Sequence, residues 1–179
     1  MSERAIIPAI SNHKKLRAFF DSDLSTGILM NFHLAQLRNL VDEMKKHGKK
    51  VLIHAELIKG LSGDEGAAVY LIQSLHVDGI ISSKPRVIDV CKKRGVLGVF
   101  RFFVKDTISF EQSIAIAKRL KPTHVEILPG CCVKLIEPLK KNLHCEVWMG
   151  GLIHSMKEAD ACFEAGARAI TTSHEKLWQ

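Results

Sequence analysis

Eight short apolar segments, separated by segments with helical spacing, limit what this chain can fold into. The apolar segments are rich in valine, isoleucine and phenylalanine and are bounded by turn residues, a pattern typical of β strands. In chain order they are "AIIPAI", "GILMNFH", "KVLIHAEL", "DGIISS", "LGVFRFFV", "HVEILPG", "CEVWMGG" and "RAITTS". Strand and helix therefore alternate along the chain.

The segments between the strands carry helix signals. In one of them, apolar residues recur at the spacing of a helix face, at Leu34, Leu37, Val41 and Met44. Ser155, followed three residues later by Glu158, predicts a capping box at a helix start. Glycines predict helix ends at Gly48, Gly95 and Gly166.

Eight strand–helix units predict an α/β fold with a parallel sheet, either closed as a (β/α)8 TIM barrel or open and doubly wound. The 179 residues are few for a barrel, whose usual lower size is roughly 200. The count of eight strands nevertheless favours closure. We therefore expect a compact TIM-barrel-like single domain over residues 1–179.

Composition restricts the compartment in which the protein works and the partners that it can bind. The chain is 46% hydrophobic, but charge or glycine interrupts every apolar run well before the length of a membrane span. The N-terminal sequence lacks the pattern of a signal peptide, and the five cysteines have no Cys-x-x-Cys spacing. We expect a reduced, cytoplasmic protein without membrane contact. Its net charge of +7 permits an acidic partner such as RNA or a phosphorylated metabolite.

Polar residues stand late in several of the predicted strands, where parallel barrels bind their ligands. They are His33, His54, Glu56, Arg101 and Glu126. Charges inside buried strands are costly unless they are paired or functional. Two interpretations remain open: a structural polar layer in which Arg101 bridges carboxylates, or a pocket for a small polar anion whose hydroxyls bond Glu126 or Glu56.

The seventh and eighth predicted strands end in small and hydroxyl residues. Gly150 and Gly151 close the seventh, and Thr172 and Ser173 close the eighth. Barrels often bind phosphate with these two loops, and "HEKLW" predicts a helix start that would favour an anion. The alternative is a tight turn at the glycines and a simple helix cap at Ser173.

The other reactive residues indicate little chemistry. His33, His54 and Glu56 lack tight metal-ligand spacing, so we interpret them as polar pocket residues and expect no metal. Cys131 and Cys132 have no base nearby in sequence and are interpreted as helix-start residues. We assign no catalytic residue and no cofactor.

Basic clusters follow the predicted helices, on the side opposite the pocket. Such residues offset the helix dipole, but together they also produce a field that attracts nucleic acid. The RNA-binding candidates are Lys45, Lys46, Lys49, Lys50, Lys92, Lys93, Arg94, Lys118, Arg119, Lys140 and Lys141. With few aromatic residues, RNA contact would depend on shape and phosphate charge.

Taken together, these motifs resemble those of the glycerol-3-phosphate-responsive antiterminators, regulators of bacterial glycerol-uptake operons. The resemblance covers nearly the whole chain, through "PAI", "HLAQL", "GKKVLIHAELIKGLSGDE", "DGIISSKPRVI", "RFFVKDT", "KPTHVEILPG" and "GGLIHSMKEADACFEAGARAITTSHEKLW". It implies a (β/α)8 barrel that binds glycerol 3-phosphate and acts on leader mRNA. Phosphate-site positions match at Gly150, Gly151, Thr172 and Ser173, and strand-end positions match at His54, Arg101, Glu126, Pro129 and Gly130.

The resemblance favours a sensor that is not an enzyme, either alone or as a homo-oligomer. The alternative is a phosphosugar isomerase, a lyase or a metal-dependent phosphodiesterase on the same barrel, because a fold does not determine a function. Glu56 departs from the family pattern, in which aspartate is usual, and so lengthens a pocket residue by one methylene.

Overall fold

The computed structural model describes residues 4–179 as a closed barrel of eight parallel strands in sequential order. The strands are β1 (Ala5–Ile10), β2 (Thr26–Leu29), β3 (Lys50–His54), β4 (Gly79–Ser82), β5 (Leu97–Phe103), β6 (His124–Leu128), β7 (Glu146–Gly150) and β8 (Ala169–Thr172). β8 pairs with β1, so the sheet has no free edge. The predicted strands and the closed (β/α)8 fold are confirmed.

Seven α helices surround the barrel, one after each of the first seven strands. They are α1 (His13–Phe20), α2 (Leu34–Lys46), α3 (Glu65–Gln73), α4 (Pro85–Lys93), α5 (Thr107–Leu120), α6 (Ile136–Asn142) and α7 (Met156–Glu164). Short 3-10 turns occupy Ala55–Leu57, Val133–Leu135 and Glu175–Leu177. Within residues 4–179, no helix is both long enough and apolar enough to cross a membrane.

The helix boundaries follow the local sequence. The predicted capping box is present at the start of α7, where the Ser155 hydroxyl accepts from the Glu158 N–H and the Glu158 carboxylate accepts from the Ser155 N–H. α2, α4 and α7 each end two residues before one of the predicted glycines, Gly48, Gly95 and Gly166. On α2, the buried residues include Leu37, Val41 and Met44, which confirms the predicted apolar face.

The structure differs from the sequence prediction after β8. "HEKLW" forms only the 3-10 turn at Glu175–Leu177. This turn is held close to the end of β8, because the Trp178 indole N–H donates to the Thr172 carbonyl and the His174 N–H donates to the Thr172 hydroxyl. One short turn provides no helix dipole for an anion.

Two apolar layers stabilise the barrel. A large core lies between the strands and the helices and includes Ile10, Leu37 and Ile80. A smaller cluster combines one residue from each of seven strands: Ile7, Ile28, Leu52, Ile81, Val99, Trp148 and Ala169. Side chains on a strand alternate between faces, so this second cluster fills the barrel interior. It separates the carboxyl ends of the strands from their amino ends.

Candidate functional site

A cavity of about 160 Å³ opens at the carboxyl ends of the strands, and we call it the upper cavity. Its lining includes Arg101, Gly151, Leu152, His154, Thr171, Thr172 and Ser173. Four of these residues were singled out from the sequence: Arg101, Gly151, Thr172 and Ser173. The fold therefore brings the end of β5 together with the loops that follow β7 and β8.

The β7 loop turns sharply at the rim of this cavity. Gly151 has φ +75° and Leu152 has φ +58°, a backbone region that favours glycine. The Gly151 carbonyl accepts from the Gly130 N–H at 2.8 Å, which ties the loop to the end of β6. A Cβ on Gly130 would lie 2.5 Å from Ile153 and 2.8 Å from the Gly151 carbonyl, so only glycine permits this approach. Gly130 thus supports the cavity wall without lining it.

Several polar groups of the rim have no partner inside the protein. Within residues 4–179, no hydrogen bond is made by the backbone N–H groups of Gly151, Leu152 or Ser173. Thr172 is different, because its hydroxyl donates to the Ile153 carbonyl at 2.8 Å and so joins the β7 and β8 loops. The rim therefore offers backbone N–H donors besides the side chains of Arg101, His154 and Ser173.

Lys15 was not identified from the sequence, although it lies at this rim. Its side-chain Nζ donates to the Ser173 carbonyl at 2.9 Å, across 158 positions of the chain. α1 carries Lys15 in its first turn, which Asn12 caps by accepting from the Lys15 N–H. No motif marks this lysine, and only barrel closure between β1 and β8 brings it to the β8 loop.

A buried ion pair lies beneath the cavity. The Arg101 Nε donates to the Glu126 carboxylate at 2.6 Å, and Glu126 has no exposed surface. The second carboxylate oxygen of Glu126 accepts from the Thr171 hydroxyl at 2.5 Å. Glu126 does not line the upper cavity, so it serves to orient Arg101, which does line it.

Gly150 leaves the space that this arrangement requires. A Cβ at position 150 would lie 2.5 Å from the Glu126 carboxylate and would also collide with the Thr171 hydroxyl. Gly150 therefore lies beneath the cavity, whereas Gly151 lines it. The sequence grouped the two glycines as one phosphate motif, but the structure gives them different surroundings.

His54 extends the polar network across the barrel. Its Nε2 lies in hydrogen-bond contact with the Arg101 guanidinium, and arginine can only donate. The proton of the imidazole is therefore on Nδ1, which faces a Glu56 carboxylate oxygen at 3.5 Å. The other Glu56 oxygen accepts from the Ser82 hydroxyl and from the Ser83 N–H.

Burial and the neighbouring Arg101 charge lower the pKa of His54 from 6.5 to about 3. His54 is consequently neutral at pH 7, as its contact with Arg101 requires. The hydrogen-bonded network His54–Arg101–Glu126–Thr171 runs from β3 to β8 and contains one buried cation with its carboxylate. Glu56, in the turn after β3, approaches His54 Nδ1 without hydrogen-bonding to it.

His33 lies away from this network. It is exposed, and its Nδ1 accepts from the Ala35 N–H as the N-cap of α2. The side chain does not line the upper cavity. Within residues 4–179, no group of three His, Cys, Asp or Glu side chains is arranged to hold a metal ion.

The basic residues occur, as predicted, at the opposite end of the barrel. Lys45, Lys46, Lys92, Lys93, Lys118, Arg119, Lys140 and Lys141 lie in the last turns of α2, α4, α5 and α6. Arg94 follows α4, while Lys49 and Lys50 lie at the start of β3. We call these eleven residues the basic face.

Part of the basic face has a structural role. The Lys49 ammonium donates to the Ser22 and Leu24 carbonyls at 2.8 and 2.9 Å and lies 5.0 Å from the Phe19 ring centre. Backbone carbonyls also accept from Lys45, Lys92 and Lys140. These lysines join a helix end to a neighbouring connection. Across residues 4–179, the side chains of the basic face without a hydrogen bond or an ion pair are those of Lys46, Lys50, Lys93, Arg94, Lys118 and Arg119.

The low pKa of His54 predicts a pH dependence of stability. Between pH 6.5 and 3 the unfolded chain binds a proton at His54 and the folded chain does not, so stability falls as the pH decreases in this range. At pH 5 the loss relative to pH 8 is about 2 kcal/mol. The free energy of unfolding, measured with urea at both pH values, should show this loss in the wild type and not in His54→Gln.

Glutamine retains an acceptor for Arg101 but does not titrate. Exposed His144→Gln is the matched control, because it removes an imidazole outside the network. The same loss of stability between pH 8 and pH 5 in the wild type and in His54→Gln would contradict the assignment.

Comparisons with known proteins show the same barrel in two antiterminator structures. The glycerol uptake operon antiterminator regulatory protein of Listeria monocytogenes superposes with a TM-score of 0.94 at 34% identity, covering 97% of this chain and 94% of that one. An antiterminator-related protein of Thermotoga maritima gives a TM-score of 0.86 at 28% identity, with 98% of each chain covered. The uncharacterized protein YgcP of Escherichia coli is 26% identical over 99% of this chain and 93% of its own length.

More distant barrels share only the fold. Orotidine 5'-phosphate decarboxylase of Pyrococcus horikoshii superposes with a TM-score of 0.69 at 13% identity, over 93% of this chain and 88% of that one. By contrast, the family model of the glycerol-3-phosphate responsive antiterminator matches residues 6–178, nearly the whole barrel. That match and the two antiterminator structures confirm the resemblance, and the chain belongs to the glycerol-3-phosphate responsive antiterminator family.

Proposed function

We propose that this protein binds glycerol 3-phosphate in the upper cavity and, as a transcription antiterminator of a glycerol uptake operon, binds leader mRNA. One observation carries the ligand site: Gly151, Leu152 and Ser173, whose backbone N–H groups have no partner within residues 4–179, line the same small cavity as Arg101. Family membership supports the identity of the ligand and of the RNA partner. An antiterminator of this kind acts in the cytoplasm, where the transcript is made.

The phosphate occupies the rim formed by the β7 and β8 loops. Backbone N–H groups in a tight turn form a concave anion site, and hydrogen bonds to a charged group are roughly twice as strong as neutral ones. Lys15 adds a positive charge at the Ser173 end of this rim. Gly151 keeps the N–H groups in place by its positive φ.

The glycerol part of the ligand points towards Arg101. Its guanidinium has five N–H donors, and the bonds to Glu126 and His54 leave others for ligand hydroxyls. The sequence suggested that Glu126 or Glu56 accepts hydrogen bonds from these hydroxyls. Because neither Glu126 nor Glu56 lines the upper cavity, we now assign the direct contact to Arg101, with Glu126 as its positioning residue.

The protein acts as a sensor, and we propose that it catalyses no reaction of this ligand. Family membership carries this proposal; beneath the cavity Glu126 is paired with Arg101 and His54 is held neutral by its low pKa, which leaves His154 as the imidazole among the lining residues. General acid–base catalysis needs a group that can exchange a proton near neutral pH. Incubation with glycerol 3-phosphate and Mg²⁺, followed by ³¹P NMR, should leave the ligand unchanged, whereas turnover would favour an enzyme.

Gly151→Val should abolish the thermal stabilisation by glycerol 3-phosphate. Valine does not adopt φ +75°, so the peptide would rotate and the N–H donors would no longer converge on the phosphate. We expect affinity to fall by more than roughly tenfold, the cost of one charged hydrogen bond. The measurement is the shift in melting temperature with ligand.

Gly48→Val is the matched control, because Gly48 has φ +69° and no atom would lie within 4 Å of an added Cβ. It imposes the same backbone strain at the far end of the barrel and should keep the ligand-induced shift. An unchanged shift in Gly151→Val would remove the β7 loop from the site.

The RNA-binding surface is the part of the basic face whose charges have no partner in residues 4–179. Lysine and arginine at helix ends release counterions when they contact phosphates, so binding weakens as salt increases. Lys46 and Lys93 represent this surface, because each lies in the last turn of its helix and its side chain makes no hydrogen bond within residues 4–179. Lys49 is unsuited to the test, since its removal would also break two bonds to the β2 connection.

Replacing Lys46 and Lys93 together by glutamine should flatten the salt dependence of leader-RNA binding. The slope of log affinity against log salt should decrease by about 1.4, from about 0.7 for each single-strand phosphate contact. Lys105 and Lys157 are exposed at the opposite end and form the control pair. Equal slopes for the two double variants would mean that RNA binds elsewhere.

A further inference from the structure

The end of the barrel that carries the basic face also carries a stacked pair of aromatic rings. Phe20 ends α1 and His47 directly follows α2, and their ring centres lie 3.9 Å apart with an angle of 5° between the planes. Phe20 is half-buried, whereas His47 is exposed although the phenyl ring covers one of its faces. The imidazole is therefore the outer ring of the stack and is the one that meets solvent.

The imidazole of His47 is held in one orientation. Its Nδ1 lies 2.9 Å from the Glu43 carbonyl oxygen, and a carbonyl can only accept, so Nδ1 carries a proton and donates. The stack on Phe20 fixes the plane of the ring, and the hydrogen bond fixes its rotation. A ligand that packs on this ring therefore has little side-chain freedom to remove, which lowers the entropic cost of binding.

Positive charges stand next to the stack. Within three residues of His47 along the chain lie Lys45, Lys46, Lys49 and Lys50. Lys45 and Lys49 donate to backbone carbonyls of neighbouring connections. Lys46 and Lys50 are exposed and have no partner within residues 4–179, so their ammonium groups are available to phosphates. The chain thus places an exposed, oriented ring beside two available cations.

We propose that His47 is a stacking platform for one unpaired base of the bound RNA, with Lys46 and Lys50 contacting the adjacent phosphates. This assignment rests on the proposed RNA-binding function. Single-stranded RNA is recognised by aromatic side chains, histidine among them, on which splayed bases stack. The base continues the stack that Phe20 and His47 begin. Because every base has a π face, this contact adds affinity with little sequence preference.

The first test is a salt titration of leader-RNA binding at pH 8, where histidine side chains are ordinarily uncharged. His47→Leu keeps an apolar contact for Phe20 but has no ring, so binding should weaken by roughly 5-fold to 100-fold at every salt concentration. The slope against log salt should not change, because the lost contact releases no counterions. This distinguishes the ring from the lysines of the basic face.

Two further variants separate stacking from a structural role. His47→Phe retains a ring and should keep leader-RNA affinity within about twofold of the wild type. His144→Leu is the matched control and should bind as the wild type does. His144 is exposed between α6 and β7, at the same end of the barrel, and forms no aromatic stack within residues 4–179.

The second test detects the contact directly. The chain has nine histidines, and His47→Phe identifies the ring signals of His47 in a ¹H–¹³C spectrum. Saturating leader RNA should move these signals upfield, because protons that lie against a stacked base are shielded by its ring current. The ring signals of His144 should stay in place. A histidine that only joins α1 to α2 would show no such shift.

All variants should keep the thermal shift with glycerol 3-phosphate, which shows that the barrel and the upper cavity are intact. Wild-type RNA affinity in His47→Leu, or an equal loss in His47→Leu and His47→Phe, would overturn the inference and leave the proposed function standing. If the wild type binds no leader RNA, the proposed function fails, and with it the assignment of this ring to a base.

Discussion

The buried pair of Arg101 and Glu126 is the interaction on which the rest of the site depends. A charge inside an apolar barrel is costly unless it is paired, and Glu126 has no exposed surface at all. Arg101, Thr171 and the space left by Gly150 satisfy this carboxylate, and His54 stays neutral beside the guanidinium. The pair also gives the upper cavity its fixed cation. Breaking it by removing one partner would leave the other charge buried alone, at a cost of about 3–5 kcal/mol.

The barrel interior separates two ends with different chemistry, and β7 connects them. Trp148 belongs to the apolar cluster that fills the barrel interior and pairs in register with Glu126, while Gly150, two residues later on the same strand, supports the polar network. A shift of β7 would therefore affect both ends. A shift of this one strand is the physical route by which the proposed ligand site could influence the proposed RNA surface on the basic face.

Most of the fold could be predicted from the sequence, because strand and helix periods and the turn residues are local properties. The eight strands and the cap at Ser155 occur where the pattern placed them. The residues of the site could be predicted less completely. Lys15 meets the β8 loop only after the barrel closes, and His33 caps a helix instead of facing the cavity. Likewise, strand position alone cannot show that both oxygens of Glu126 are occupied, since this depends on neighbours from β5 and β8.

The central claim is that one barrel senses glycerol 3-phosphate and passes this information to RNA. The most direct test is the dissociation constant of the leader-RNA complex, measured with and without saturating glycerol 3-phosphate at one salt concentration. The account predicts a change of about 5-fold to 150-fold, and the ligand affinity must change by the same factor when RNA is saturating. The same RNA dissociation constant under both conditions, with glycerol 3-phosphate demonstrably bound, would contradict it.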